Sequence, residues 1–249
     1  MKVVITCAGK GTRLLPFTKE LPKEMAPIFS LGENGIEIKP LIQQIFENLF
    51  TIGIREFCFI SGKTKRSLQD HFYPDQQQDI PPSLSNFYEM IINSQIAWIN
   101  QLIPKGFGDA VLESKSFVNN DVFLVQAGDV VISSQIHSSI NKLIELSKND
   151  DIEAAFLVQT VTDPERHGIV TTEKDESISL VTKVVEKPKD PETNIGIMPF
   201  YFFRSSIFDA LGSTTPGYGN EIQLTDAIQK LIESGKNVAA IKMDKETIL

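Results

Sequence analysis

A short apolar strand, Val3 to Thr6, runs directly into Ala8-Gly9-Lys10-Gly11-Thr12-Arg13, and this junction constrains the fold more than any other feature. A glycine-rich turn after a first strand lets backbone N–H groups approach phosphate oxygens without obstruction by side chains. Arg13 and Lys23 add two cations beside the turn. With Ala8, Gly9, Gly11 and Thr12 they read as a cradle for a triphosphate. The turn is not the dinucleotide fingerprint, because the third glycine is missing. It is not a Walker A loop, because no Gly-Lys-Ser/Thr closes it. On the glycines alone, a tight turn with solvated cations is an equally good reading.

Strand-like and helix-like segments then alternate. Leu41, Ile42, Ile45, Phe46, Leu49 and Phe50 recur at helical spacing behind Pro40, a good first-turn residue. Phe57 to Ile60 reads as a strand, Asp109 to Phe117 as a helix, and Val122 to Val125 as a buried strand ending at Gly128-Asp129. Ile136 to Leu146 reads as an amphipathic helix and Ala154 to Val158 as a strand. Ile169-Val170 and Ile178 to Val185 flank a charged turn and suggest a hairpin. Phe200 to Phe203 is a strand, Leu224 to Ile232 a helix, and Val238 to Ile241 a last strand. This alternation predicts an α/β fold with a mainly parallel sheet covered by helices on both faces. Ligands in such sheets sit beyond the carboxyl ends of the strands, where the glycine-rich turn and Asp129 both fall. Tyr73 to Ser85 and Gly32 to Lys39 read as exposed loops, the latter with the turn signal Asn34-Gly35. The 249 residues suit one domain, 1–249, with no internal repeat. A functional division falls near Ile132, giving halves 1–132 and 133–249.

A net charge of −8 and no basic run argue against a nucleic-acid surface. The local cluster Lys63, Lys65 and Arg66 could still serve an anion. Cys7 and Cys58 are too few for a disulfide framework and read as buried, reduced thiols. Met1 leads straight into a strand, so no signal peptide is expected. No apolar run approaches the ~18 residues a membrane span needs. A cytoplasmic protein with no membrane or nucleic-acid partner is the expectation.

Several further residues suggest chemistry. Asp129 at a strand end is a natural hard-oxygen ligand for Mg²⁺, although a turn aspartate is favoured by roughly two to one on that segment alone. Gln101 offers both donor and acceptor to the edge of a pyrimidine, and Gly106 and Gly108 permit close approach to a flat base. Read locally, these are a surface glutamine and a helix-start glycine pair. Glu186 can accept from sugar hydroxyls while Lys187 supplies charge to a phosphate; an exposed strand-end pair is the plain alternative. Gly219 to Ile228 reads locally as a helix start, with Asp226 near its positive end.

The run Gly9-x-Gly11-Thr12-Arg13-Leu14-x-Pro16-x-Thr18-Lys19-x-x-Pro22-Lys23-Glu24-Met25 resembles the sugar-1-phosphate nucleotidyltransferases, and among them the bacterial-type uridylyltransferases. Val185-Glu186-Lys187-Pro188 and Gly219 to Ile228 carry the same resemblance in the same order. It implies a Rossmann-like three-layer sandwich with a mainly parallel, mixed central sheet and a small sugar-binding β extension. It implies a homo-oligomer acting on UTP and glucose-1-phosphate to give UDP-glucose and pyrophosphate. Arg13 and Lys23 would hold the triphosphate, Asp129 the magnesium, Gln101 and Gly106 the base, and Lys187 the sugar phosphate. Gly168, Glu186 and Asn194 would line the sugar pocket. The sequence departs from the pattern at His167, where tyrosine is common, and at Pro199, where glycine is usual. It stops at Leu249, short of an Asp-x-Gly turn, which leaves Asp129 as the one metal carboxylate nominated. The rival readings are the same chemistry with dTTP or another sugar phosphate, a catalytically silent nucleotidyltransferase-like module, and a glycosyltransferase. The last would want an Asp-x-Asp after the matching strand, and none is found.

Overall fold

The computed structural model describes residues 1–32, 35–63, 65–74, 80–130, 137–174 and 176–243. In chain order the strands are β1 (Lys2–Cys7), β2 (Pro27–Gly32), β3 (Gly35–Pro40), β4 (Glu56–Gly62), β5 (Gln95–Gln101), β6 (Phe123–Ala127), β7 (Ile152–Thr160), β8 (Gly168–Thr172), β9 (Ile178–Glu186), β10 (Ile195–Phe203) and β11 (Asn237–Lys242). The α-helices are α1 (Leu41–Thr51), α2 (Arg66–His71), α3 (Pro82–Ile92), α4 (Phe107–Glu113), α5 (Lys115–Val118), α6 (His137–Leu146), α7 (Ser206–Gly212) and α8 (Leu224–Glu233).

Among the described residues the main sheet has nine strands in the order β5-β4-β1-β6-β10-β7-β11-β9-β8. β5, β4, β1 and β6 are mutually parallel. β10 runs antiparallel between β6 and β7. β11 is parallel to β7, and β9 and β8 complete the edge as an antiparallel pair. The mixed α/β sandwich and the edge hairpin both match the expectation.

The chain leaves β1 for β4 on one side and later returns with β6 on the other. The carboxyl end of β1 is therefore a topological switch point, where a crevice opens between diverging connections. The core explains the layers. β1 sends Val3, Ile5 and Cys7 to one face, against Ile42, Phe46 and Phe87 of α1 and α3 and Leu143 of α6. It sends Val4 to the other face, which is covered by Val111 of α4, Phe208 of α7 and Ile228 of α8. A strand buried on both faces must be apolar throughout, which is why Val3 to Thr6 shows no alternation.

Four local readings need correction. Gly32 to Lys39 is not a loop: β2 and β3 pair as a separate hairpin, with Phe29 opposite Ile38 and Leu31 opposite Ile36. These four side chains stay exposed, so their apolar character reflects β pairing and not core burial. Asn34 lies outside the described residues, and Gly35 carries φ +118°. In Tyr73 to Ser85, helix α3 already begins at Pro82, as suits proline in a first turn; residues 75–79 lie outside the described set. Asp109 to Phe117 is two helices, α4 and α5, meeting at Ser114, whose hydroxyl donates to the Val111 carbonyl at 2.6 Å. Strand β5 went unread because its sequence, Gln95 to Gln101, is interrupted by polar residues. Ile136, where helix α6 was expected to start, and Ile132, the expected division, lie outside the described residues. Among those residues no helix is long and apolar enough to cross a membrane.

Candidate active site

One cleft of about 640 Å³ opens at the carboxyl ends of β1, β5 and β6. It is lined by Ala8, Gly9, Gly11, Thr12, Arg13 and Lys23 from the first segment, and by Gln101, Gly106 and Asp129. Gly168, Glu186 and Lys187 complete the far end. Residues nominated from five separate stretches of sequence thus share one cavity. Asn194 does not line it. That residue is exposed just ahead of β10, and its backbone carbonyl accepts from Val161 N–H at 2.9 Å.

The glycine-rich segment is held by short 3-10 turns at Thr12–Leu14, Phe17–Lys19 and Lys23–Met25. Gly11 sits at φ +66°, a left-handed conformation natural to glycine. Its carbonyl accepts from the Thr18 hydroxyl at 2.7 Å. Lys23 folds back over the turn, so that a Cβ on Gly9 would lie 3.1 Å from its Nζ. Nζ also donates to Asp129 Oδ2 at 2.6 Å. Asp129 is brought there because Gly128 N–H donates to the Thr6 carbonyl at 2.9 Å, tying the end of β6 to β1. A Cβ on Gly128 would meet Cys7 Sγ at 2.6 Å, so this close approach demands glycine.

Beneath the cradle Lys65 is buried and donates to both carboxylate oxygens of Glu24 at 2.8 Å. It is therefore committed to an internal ion pair and is not a surface anion site. Burial raises the pKa of Glu24, and the Lys65 ammonium opposes that shift. A buried pair broken on one side is strongly destabilising, so the pair anchors the turn that carries Lys23. Burial likewise pushes the Cys7 thiol well up and the Cys58 thiol to about 12. Neither is a thiolate nucleophile.

The loop of residues 104–109 is built differently. Gly106 adopts φ +121°, and a Cβ there would lie 2.6 Å from the Ile222 carbonyl oxygen. Gly108 N–H donates to Ile222 O at 2.9 Å, and Ile222 N–H donates to Lys105 O at 2.7 Å. The segment before α8 is thus more than the helix start that local reading made it. It seats the 104–109 loop and places Glu221, Gln223 and Thr225 in the cleft wall.

At the far end Glu186 Oε1 meets Lys187 Nζ at 2.7 Å, and Oε2 accepts from the Thr225 hydroxyl at 3.0 Å. Gly168 pairs with Glu186 across β8 and β9. A Cβ at Gly168 would lie 2.8 Å from Thr225 Cγ2. Lys187 has φ +42°, and its Nζ stands 5.0 Å from the Tyr218 ring centroid. Lys10, Arg166, His167 and Tyr201 also line the cleft. Tyr201 is buried, which raises the pKa of its phenol. Sequence reading passed over Lys10, Arg166 and Tyr201; Lys10 was legible, since it lies inside the glycine-rich motif itself.

A cation at Asp129 would find one protein carboxylate. No cluster of three or more His, Cys, Asp or Glu side chains able to hold a metal occurs among the described residues. That is the donor set of a magnesium ion held by one carboxylate and completed by substrate phosphates and water. The chemistry of the site fits such an ion.

A glycine-rich turn with Arg13 and Lys23 beside a switch-point strand, sharing one cleft with the Glu186–Lys187 pair, is the arrangement of a nucleotide-handling transferase. The chain belongs to the nucleotidyl transferase family, whose model matches residues 2–247. It is 36% identical over 244 residues to the UTP–glucose-1-phosphate uridylyltransferase of Staphylococcus epidermidis, covering 92% of this chain and 81% of that one. It is 35% identical over 248 residues to the enzyme of the same name from Streptococcus pneumoniae, covering 92% and 79%. A crystal structure of UDP-glucose pyrophosphorylase complexed with UDP-glucose superposes with a TM-score of 0.85 at 29% identity, covering 97% of this chain and 89% of that one. A UTP-bound enzyme from Acinetobacter baumannii gives 0.79 at 25% identity, covering 100% and 87%.

Proposed function

We propose that this protein transfers a uridylyl group from UTP to glucose-1-phosphate, giving UDP-glucose and pyrophosphate. The observation that carries the reading is that the Arg13–Lys23 cradle and the Glu186–Lys187 pair open into one cleft. Two anionic substrates can therefore be held together, each on its own cations. Relatives bearing the uridylyltransferase name support the choice of base and sugar.

A phosphate oxygen of the sugar attacks the α-phosphorus of UTP. The bond from the α-phosphorus to the bridging oxygen breaks, and pyrophosphate leaves with that electron pair. A phosphate monoester has a second pKa of about 6, so the nucleophile is already anionic and no general base is required. Catalysis is positioning and charge neutralisation. Arg13, Lys23 and the backbone of Gly9 and Gly11 hold the triphosphate and stabilise the departing pyrophosphate. Lys187 holds the sugar phosphate, and Glu186, fixed by Thr225, accepts from sugar hydroxyls. A divalent cation supplies charge neutralisation at the phosphates. We take it to be Mg²⁺, held by Asp129. Lys23 and Asp129 neutralise each other in the free cleft, so substrate binding exchanges Lys23 from carboxylate to phosphate.

In this reading the 1–132 half serves the nucleotide and the 133–249 half the sugar phosphate, within one domain. Both cysteines are free and buried, which suits the reducing cytoplasm where we place the enzyme. The decisive test is pyrophosphate release over a grid of UTP, dTTP, CTP, ATP and GTP against several sugar-1-phosphates. The highest kcat/KM is expected for UTP with glucose-1-phosphate. ATP turnover equal to that of UTP would refute the reading.

A further inference from the structure

Gln101, the last residue of β5, lies in the cleft wall yet is only 2% exposed. Its amide has two N–H donors on nitrogen and one acceptor oxygen. The nitrogen donates to Asp109 Oδ2 at 2.6 Å and to the Gly106 carbonyl at 3.4 Å. Both partners are oxygens that only accept, so the nitrogen end must be the end that faces them. The amide orientation is thereby determined by the protein. The oxygen, Oε1, has no hydrogen-bond partner among the described residues. Gln101 lines the cleft, and a buried acceptor without a protein partner there calls for a donor from a ligand.

Asp109 is itself buried and sits in the first turn of α4. That helix follows the loop locked to Ile222, so the carboxylate has a fixed place. We propose that Asp109 is a positioning residue that determines base specificity. It holds the Gln101 amide so that the cleft meets an acceptor and no donor. The base that satisfies Oε1 then carries a ring N–H, as uracil and thymine do at N3. Cytosine has a bare lone pair at N3, so acceptor would face acceptor. Asp109 thus separates UTP and dTTP from CTP, a discrimination that the size of a pyrimidine pocket cannot supply. The inference rests on the reading of this cleft as a uridylyl-transfer site with the base at Gln101.

The test compares kcat/KM for UTP and CTP, with saturating glucose-1-phosphate, in the wild type, Asp109→Asn and Asp109→Ala. The wild type should prefer UTP by about a hundredfold or more, because a site built to pair with a substrate N–H leaves its own group unpaired with the analogue. Asp109→Asn keeps the shape but can donate or accept, so Gln101 is free to turn over. The UTP-to-CTP ratio should fall at least tenfold, through improved CTP use as well as poorer UTP use. Asp109→Ala should relax it similarly. A merely structural role would lower both substrates together and leave the ratio unchanged, and that result would overturn the proposal. Should both variants melt below the assay temperature, the wild type decides: a UTP-to-CTP ratio under ten overturns the proposal even though uridylyl transfer stands. If ATP matched UTP, the underlying reading would fail instead.

Discussion

The glycine-rich segment, residues 9–25, and the loop of residues 104–109 line the same cleft and are held in opposite ways. The first is a chain of short 3-10 turns with Leu14, Leu15 and Leu21 exposed. Side chains pin it, chiefly through the Thr18–Gly11 hydrogen bond, the buried Glu24–Lys65 pair and the Lys23–Asp129 pair. Its working groups are long cationic side chains. The second is locked by backbone hydrogen bonds running both ways to Ile222, with no room for a Cβ at Gly106 or Gly108. On the proposed function the contrast suits the two parts of the nucleotide. A triphosphate is a diffuse, multiply charged target that long cationic side chains can follow. A neutral, flat base is recognised by shape and directed hydrogen bonds, and that demands a rigid wall.

The contrast can be broken most forcefully at Lys23. Lys23→Met removes a charge from the phosphate side, and kcat/KM should fall about 10²- to 10³-fold, the scale of losing one transition-state charge contact. Thermal stability should stay nearly level, because the Lys23–Asp129 ion pair is partly exposed. Asp129→Asn should behave alike, with a raised magnesium requirement in a metal titration. Wild-type turnover at limiting magnesium would remove Asp129 from its role.

Gly106→Ala tests the rigid side. At φ +121° and 2.6 Å from Ile222 O, the new methyl must push backbone. A loss of about 2–4 kcal/mol in unfolding free energy is expected, together with a raised KM for UTP. A variant that melts with the wild type would show the loop to be adaptable after all.

Lys187→Met carries the comparison to the sugar end. A lost charge-assisted contact costs about 1.5–3 kcal/mol, so KM for glucose-1-phosphate should rise about ten- to a hundredfold. KM for UTP should change little. Equal effects on both substrates in steady-state kinetics would erase the division between the two cation sites.

The smallest effect on stability is expected at Gly9. A Cβ there meets only the flexible end of Lys23, at 3.1 Å from Nζ. Gly9→Ala should therefore shift the unfolding free energy by less than about 0.5 kcal/mol, while KM for UTP rises because the methyl intrudes on the phosphate path. If Gly9→Ala destabilised as much as Gly106→Ala, the two segments would not differ in rigidity.

The sequence by itself determined the α/β class, the glycine-rich turn with Arg13 and Lys23 beside it, the strand-end place of Asp129, and the Glu186–Lys187 pair. Each of these is written locally, in turn chemistry, apolar periodicity or the order of short motifs. The tertiary structure alone decided the antiparallel insertion of β10 between β6 and β7. It also decided the commitment of Lys65 to Glu24, 41 positions away, and the seating of Gly106 against Ile222. It moved Asn194 out of the cleft and turned the Gln101 amide onto Asp109. These outcomes depend on which distant groups share a dry space. A side chain in such a space must pair with whatever the fold brings within about 3 Å.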